Sequence, residues 1–110
     1  MTDMAERLTS ENFDVKVLAS GKPALIEFYS DGCVVCKKFA PELAEIEEKY
    51  DGKIFVGKVN ASFDEELAGR FGIMAAPTVI LFKDKDPVFR FSGAKKAGEL
   101  SKMIDEKLLL

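Results

Sequence analysis

Six consecutive residues, Ala24-Leu25-Ile26-Glu27-Phe28-Tyr29, are apolar at every position but one. A run this continuous reads as a strand buried on both faces, which is the setting of a parallel sheet. Strands paired in parallel need a crossover connection, usually a helix. The residues that follow supply one. Ser30-Asp31-Gly32 is a turn, and Cys33 opens a stretch in which Phe39, Leu43, Ile46 and Tyr50 recur at three-four spacing. That spacing makes the apolar stripe of a helix. Pro41 lies inside it and predicts a bend.

The same alternation continues along the chain. Before the first run, Ser10-Glu11-Asn12-Phe13 starts a helix carrying Phe13, Val17 and Leu18, and Ser20-Gly21-Lys22-Pro23 ends it. After the long helix, Asp51-Gly52-Lys53 turns the chain into a second buried strand, residues 54–60. Ser62-Phe63-Asp64-Glu65 has capping-box spacing and predicts a third helix, with Leu67 and Phe71 inside and Gly72 past its end. Thr78-Val79-Ile80-Leu81-Phe82 is a third strong strand. A polar turn, residues 83–87, leads to the alternating strand Val88-Phe89-Arg90-Phe91-Ser92. Gly93 breaks it, and Leu100, Met103, Ile104 and Leu108 mark a last helix.

The order is helix, strand, helix, strand, helix, strand, strand, helix. Crossover helices imply parallel pairing and helices on both faces, and the last two strands must be antiparallel. The expected architecture is an α/β three-layer sandwich around a mixed central sheet. The chain has 110 residues and no repeat or linker, so it reads as one domain over 1–110, with its core from about residue 10. Its 47% hydrophobic content and nine phenylalanines suffice for one core.

Charge narrows the partners. The net charge is −3, and lysines are interspersed with acids. Nucleic acid and anionic membranes reward clustered Lys and Arg, so neither is expected as a partner. The N-terminal residues carry no basic segment followed by an apolar run, and no run approaches the ~18 residues of a membrane span. The expected compartment is the cytoplasm, where thiols are kept mostly reduced.

The two cysteines, Cys33 and Cys36, are the only ones, and there is no histidine. Zinc takes about four ligands, so this pair would need a second chain to complete a site. Two inert buried thiols are the bland alternative. The pair stands at a helix N-terminus, where the helix dipole and unpaired N–H groups favour a thiolate. There it can cycle between dithiol and disulfide, with Cys33 the exposed nucleophile. Cys36, one turn on and on the same face, is the resolving thiol. Glu27 is a carboxylate in an otherwise buried strand. Burial raises its pKa, which suits it to take a proton from Cys36; the alternative is a carboxylate that reaches solvent at a sheet edge.

The chain from about Ser10 onward resembles the thioredoxin family. Four landmarks carry the resemblance: residues 26–29; Cys33-Val34-Val35-Cys36 with Pro41 in register; Gly72-Ile73-Met74-Ala75-Ala76-Pro77-Thr78; and Phe91-Ser92-Gly93-Ala94. The resemblance implies a thioredoxin fold and protein-disulfide reductase activity. It implies Glu27 as the family's buried acid, Lys58 as its supporting lysine, and a cis Ala76-Pro77 bond facing the disulfide. It also implies a substrate surface at Gly32, Val34, Val35, Ala76, Pro77 and Gly93. No cofactor is implied beyond the redox disulfide. The partners implied are disulfide-containing proteins and a thioredoxin-reductase-like electron donor.

The chain departs from the family pattern at three places. Gly32 stands for a tryptophan, Val34-Val35 for Gly-Pro, and Glu27 for aspartate. Family members that act as oxidants often carry a histidine between the cysteines. Two valines add no charge and no donor, and the bulky pair is expected to shield the disulfide from water. The expected potential is nearer the ~−270 mV of thioredoxin than the ~−120 mV of strong oxidants. The competing reading is a binding module or a redox switch dedicated to one partner, motivated by the altered surface beside Cys33. An exported oxidase or isomerase fits less well, for want of a signal and a histidine.

Overall fold

The computed structural model describes residues 5–109. Its elements are β1 (Glu6–Leu8), a π-helical turn (Asp14–Leu18), β2 (Ala24–Tyr29), α1 (Val34–Lys49), β3 (Phe55–Asn60), α2 (Glu65–Arg70), β4 (Thr78–Lys83), β5 (Asp86–Ser92) and α3 (Ala97–Leu108). The strands form one mixed sheet in the order β1-β3-β2-β4-β5. β1 and β2 flank β3 in parallel, while β4 runs antiparallel to both β2 and β5.

Alternation along the central strands sorts two cores. Leu25, Val79 and Leu81 face Phe39, Leu43 and Ile46 of α1 and Leu100 and Ile104 of α3. Ala24, Ile26, Phe28, Ile80 and Phe82 face Phe13, Val17 and Leu67 on the other side. The three layers expected from the sequence are therefore present. Glu27 falls between Leu25 and Tyr29 in β2, on the α1 side of the sheet by the same alternation. Opposite it, Phe71 packs against Phe13, Phe28 and Phe82, with ring centroids 5.2–5.8 Å apart. These contacts fix the end of α2 against the sheet.

Four expectations are corrected. β1 is an additional strand. A Cβ at Gly57, its register neighbour in β3, would lie 2.7 Å from Leu8 Cδ1, so the glycine makes room for this strand. The first helix is only a π-helical turn, closed by Ala19 N–H donating to Asp14 O across 2.9 Å. The cap of α2 is Asp64, not Ser62: its Oδ1 accepts from Leu67 N–H at 3.1 Å. Its Oδ2 accepts from Ser10 N–H at 2.7 Å, tying the N-terminal segment to the helix.

The fourth correction matters most for function. A crossover helix before β4 implied a parallel strand, yet β4 is antiparallel to β2. α2 has six residues, which span about 9 Å. A six-residue strand spans about 20 Å. The helix is too short to carry the chain back along β3, so β4 starts at the end of the sheet where β2 finishes. Residues 72–77 are thereby delivered beside the start of α1.

Candidate active site

Cys33 is the N-cap of α1, in an extended conformation (φ −81°, ψ 106°), one position before the helix the sequence had it opening. Gly32 before it has φ +71°, a left-handed conformation that glycine adopts without strain. This tight approach delivers Cys33 to the end of the helix axis. Its Sγ accepts the N–H of Cys36 at 3.0 Å, satisfying one of the helix's free N-terminal donors. No acidic residue lies in the first turn of α1. A negative sulfur at this position is thus stabilised by a hydrogen bond and by the helix dipole.

Cys33 and Cys36 are joined as a disulfide, with Cα atoms 5.2 Å apart. Cys33 is half-buried and Cys36 is 8% exposed. Attack from outside is therefore directed to Cys33. Val34 and Val35 are 63% and 45% exposed, so the pair presents apolar surface to solvent beside the disulfide.

Residues 72–77 lead to this disulfide and meet it at Ala76. The Ala76 carbonyl oxygen lies 3.8 Å from Cys33 Sγ. A disulfide sulfur has no proton, so this is a contact, and it becomes a hydrogen bond only when Cys33 is a thiol. The Ala76-Pro77 peptide is cis. Pro77 is buried, and its carbonyl accepts the Gly93 N–H at 2.8 Å. Thr78 Oγ1 donates to Ala75 O at 2.5 Å and lies 3.1 Å from Ser92 Oγ. The structure thus gathers Gly32, Val34, Val35, Ala76, Pro77 and Gly93 at the α1 end of the sheet.

Glu27 lines the same cleft as the two cysteines. It is 5% exposed, and its Oε2 is buried without a hydrogen-bond partner among the described residues. Burial pushes its pKa up from 4.5 to about 7, opposed by the positive charge of Lys58. Lys58 is its register partner on β3. A cleft of about 260 Å³ joins Glu27, Lys58, Tyr29, Cys33, Cys36 and Lys37. The carboxylate and the buried sulfur thus share one opening to solvent. Sequence reasoning missed Tyr29 as a wall of this cleft, with Lys58 Nζ 5.6 Å from its ring centroid. Its place at the end of β2, two residues after Glu27, was the available signal. Among the described residues, no group of three or more His, Cys, Asp or Glu side chains could hold a metal ion.

A disulfide at a helix N-terminus, on this sheet and above a buried acid, defines a thiol–disulfide oxidoreductase. The thioredoxin family model matches residues 4–106. The chain is 39% identical over 100 residues to the thioredoxin of Mycobacterium bovis, covering 90% of this chain and 86% of that protein. It is 34% identical over 100 residues to thioredoxin C-2 of Corynebacterium nephridii, covering 91% and 93%. It is also 38% identical over 104 residues to chloroplastic thioredoxin Y of rice (Oryza sativa subsp. japonica), covering 94% of this chain but 62% of that protein's length. The chain belongs to the thioredoxin family, and its domain is of the disulfide-reductase type.

Proposed function

We propose that the protein reduces disulfides in other proteins and is itself re-reduced by a separate reductase. Cys33 thiolate attacks a substrate disulfide, forming a mixed disulfide and releasing one substrate thiolate. Cys36 then attacks Cys33 Sγ. That step re-forms the Cys33–Cys36 disulfide, expels the second substrate thiolate and needs the Cys36 proton removed. Glu27 accepts that proton through the shared cleft. Its pKa of about 7 lets it exist as a base and still hold a proton near neutrality. Lys58 limits how far that pKa rises. Two electrons from the reductase return the disulfide to the dithiol.

The observation that carries this reading is the asymmetry of the pair. A half-buried sulfur caps the helix, and a buried one shares a cleft with the buried Glu27 carboxyl. The outward valines and the exposed Met74, at 93%, offer an apolar face on which an extended substrate segment can lie against the Ala76 backbone. No charge or donor between the cysteines favours the reduced form as a histidine would, which supports a potential nearer the ~−270 mV of thioredoxin than the ~−120 mV of strong oxidants. Such a potential suits a reducing compartment, and the cytoplasm is the one proposed. Among the described residues, no helix is long and apolar enough to cross a membrane.

The test is reduction of a protein disulfide with dithiothreitol as electron donor. Wild type accelerates the reaction and Cys33→Ser does not. Equal rates with both proteins would remove the proposed activity.

A further inference from the structure

Arg90 projects from β5 on the sheet face opposite α1, the face of its register partner Ile80. Its Nη1 donates to Phe71 O at 2.6 Å, and its Nη2 donates to Gly72 O at 2.9 Å. These two carbonyls close the C-terminal end of α2, where Phe71 is the cap residue and Gly72 has φ +62°. Helix ends leave such carbonyls without intrahelical partners and carry partial negative charge. A guanidinium fork matches two adjacent oxygens in one plane, which an ammonium cannot do.

From Gly72 the chain runs directly into residues 73–77, and Ala76 is the backbone that faces Cys33. The other end of the same segment is also held from the β5 end. Gly93 N–H donates to Pro77 O, and Ser92 Oγ lies against Thr78 Oγ1. β5 therefore grips residues 72–77 at both ends, with the Arg90 side chain at the near end. Ile73 N–H also returns to Ala68 O at 2.8 Å, and the Phe71 ring is seated among Phe13, Phe28 and Phe82. Those contacts hold the ring and the helix end. The carbonyls that aim the next peptide units are held by Arg90.

We infer that Arg90 is a positioning residue for protein substrates: its two hydrogen bonds set the path of residues 72–77 and hence the orientation of the Ala76 backbone presented beside Cys33. This rests on the proposed reductase activity. A small disulfide needs only the sulfur of Cys33 and does not use the Ala76 edge. A protein disulfide on an extended segment uses both.

The experiment compares wild type, Arg90→Ala and Arg90→Lys. Each is assayed against a protein disulfide for kcat and KM, and against a small aromatic disulfide for the rate of thiol attack. Both variants are expected to raise KM for the protein substrate about tenfold, with kcat and the small-disulfide rate within about twofold of wild type. Arg90→Lys keeps the charge but loses the fork, so it tracks Arg90→Ala. An unchanged KM in Arg90→Ala overturns the inference. So does equal slowing with both substrates, which reports general damage, or wild-type behaviour of Arg90→Lys, which reports charge alone. Inactivity of wild type itself would instead remove the reductase reading.

Discussion

Replacing Glu27 with Gln removes a charge that the fold buries at measurable expense, and the size of the effect follows from its surroundings. The carboxyl pKa rises from 4.5 to about 7 on folding, chiefly through burial. At about 1.4 kcal/mol for each pKa unit, that rise corresponds to about 3 kcal/mol. The folded protein holds this proton more tightly than the unfolded chain. Stability from this group is therefore fully present below pH 4.5 and is lost as pH climbs through about 7. A glutamine is uncharged throughout. The gap in unfolding free energy, variant minus wild type, should grow by about 3 kcal/mol between pH 4 and pH 8.5. Urea titrations of the oxidised proteins at a series of pH values measure it. With a slope of about 1–3 kcal/mol per molar, the change in midpoint difference is about 1–3 M. Lys58→Met in the wild-type background should move the loss to higher pH, because it removes the charge that lowers the Glu27 pKa. A gap that stays constant across the range would refute the reasoning, since it would mean that Glu27 titrates alike in the folded and unfolded chains.

Two further outcomes follow from backbone geometry. Asp64→Ala should cost about 1–2 kcal/mol in urea unfolding, since its carboxylate caps Leu67 N–H and also holds Ser10 N–H. Lys85→Gly should raise stability by up to about 1 kcal/mol. Asp84 and Lys85 form a two-residue hairpin loop with φ of +53° and +75°, where Asp-Gly is the favoured pair; a lower melting temperature for the glycine variant would contradict this.

The elements carrying the chemistry were legible because each is specified locally. The apolar run of β2, the stripe of α1 and the turn at Gly32 can each be read from neighbouring residues. β1 was not legible, because Glu6-Arg7-Leu8 is too short to show a period and buries only Leu8. Its partner strand is β3, where Gly57 leaves room for the Leu8 side chain. The reversal of β4 was legible only in hindsight, through the brevity of α2. Within the site, the spacing of Cys33 and Cys36 indicated exchange chemistry, and the acid within an apolar run singled out Glu27. The Glu27–Lys58 register, the Tyr29 wall and the Arg90 fork are all contacts between segments distant in sequence. No local pattern encodes them.

The central claim is a division of labour between two sulfurs, and covalent trapping tests it most directly. Cys36→Ser and Cys33→Ser are each reduced, incubated with a protein disulfide and examined by intact mass and peptide mapping. The account predicts a stable mixed disulfide through Cys33 in Cys36→Ser, and almost none in Cys33→Ser, whose remaining thiol is 8% exposed and set above Glu27 in wild type. An adduct forming through Cys36 as fast as through Cys33 would contradict it.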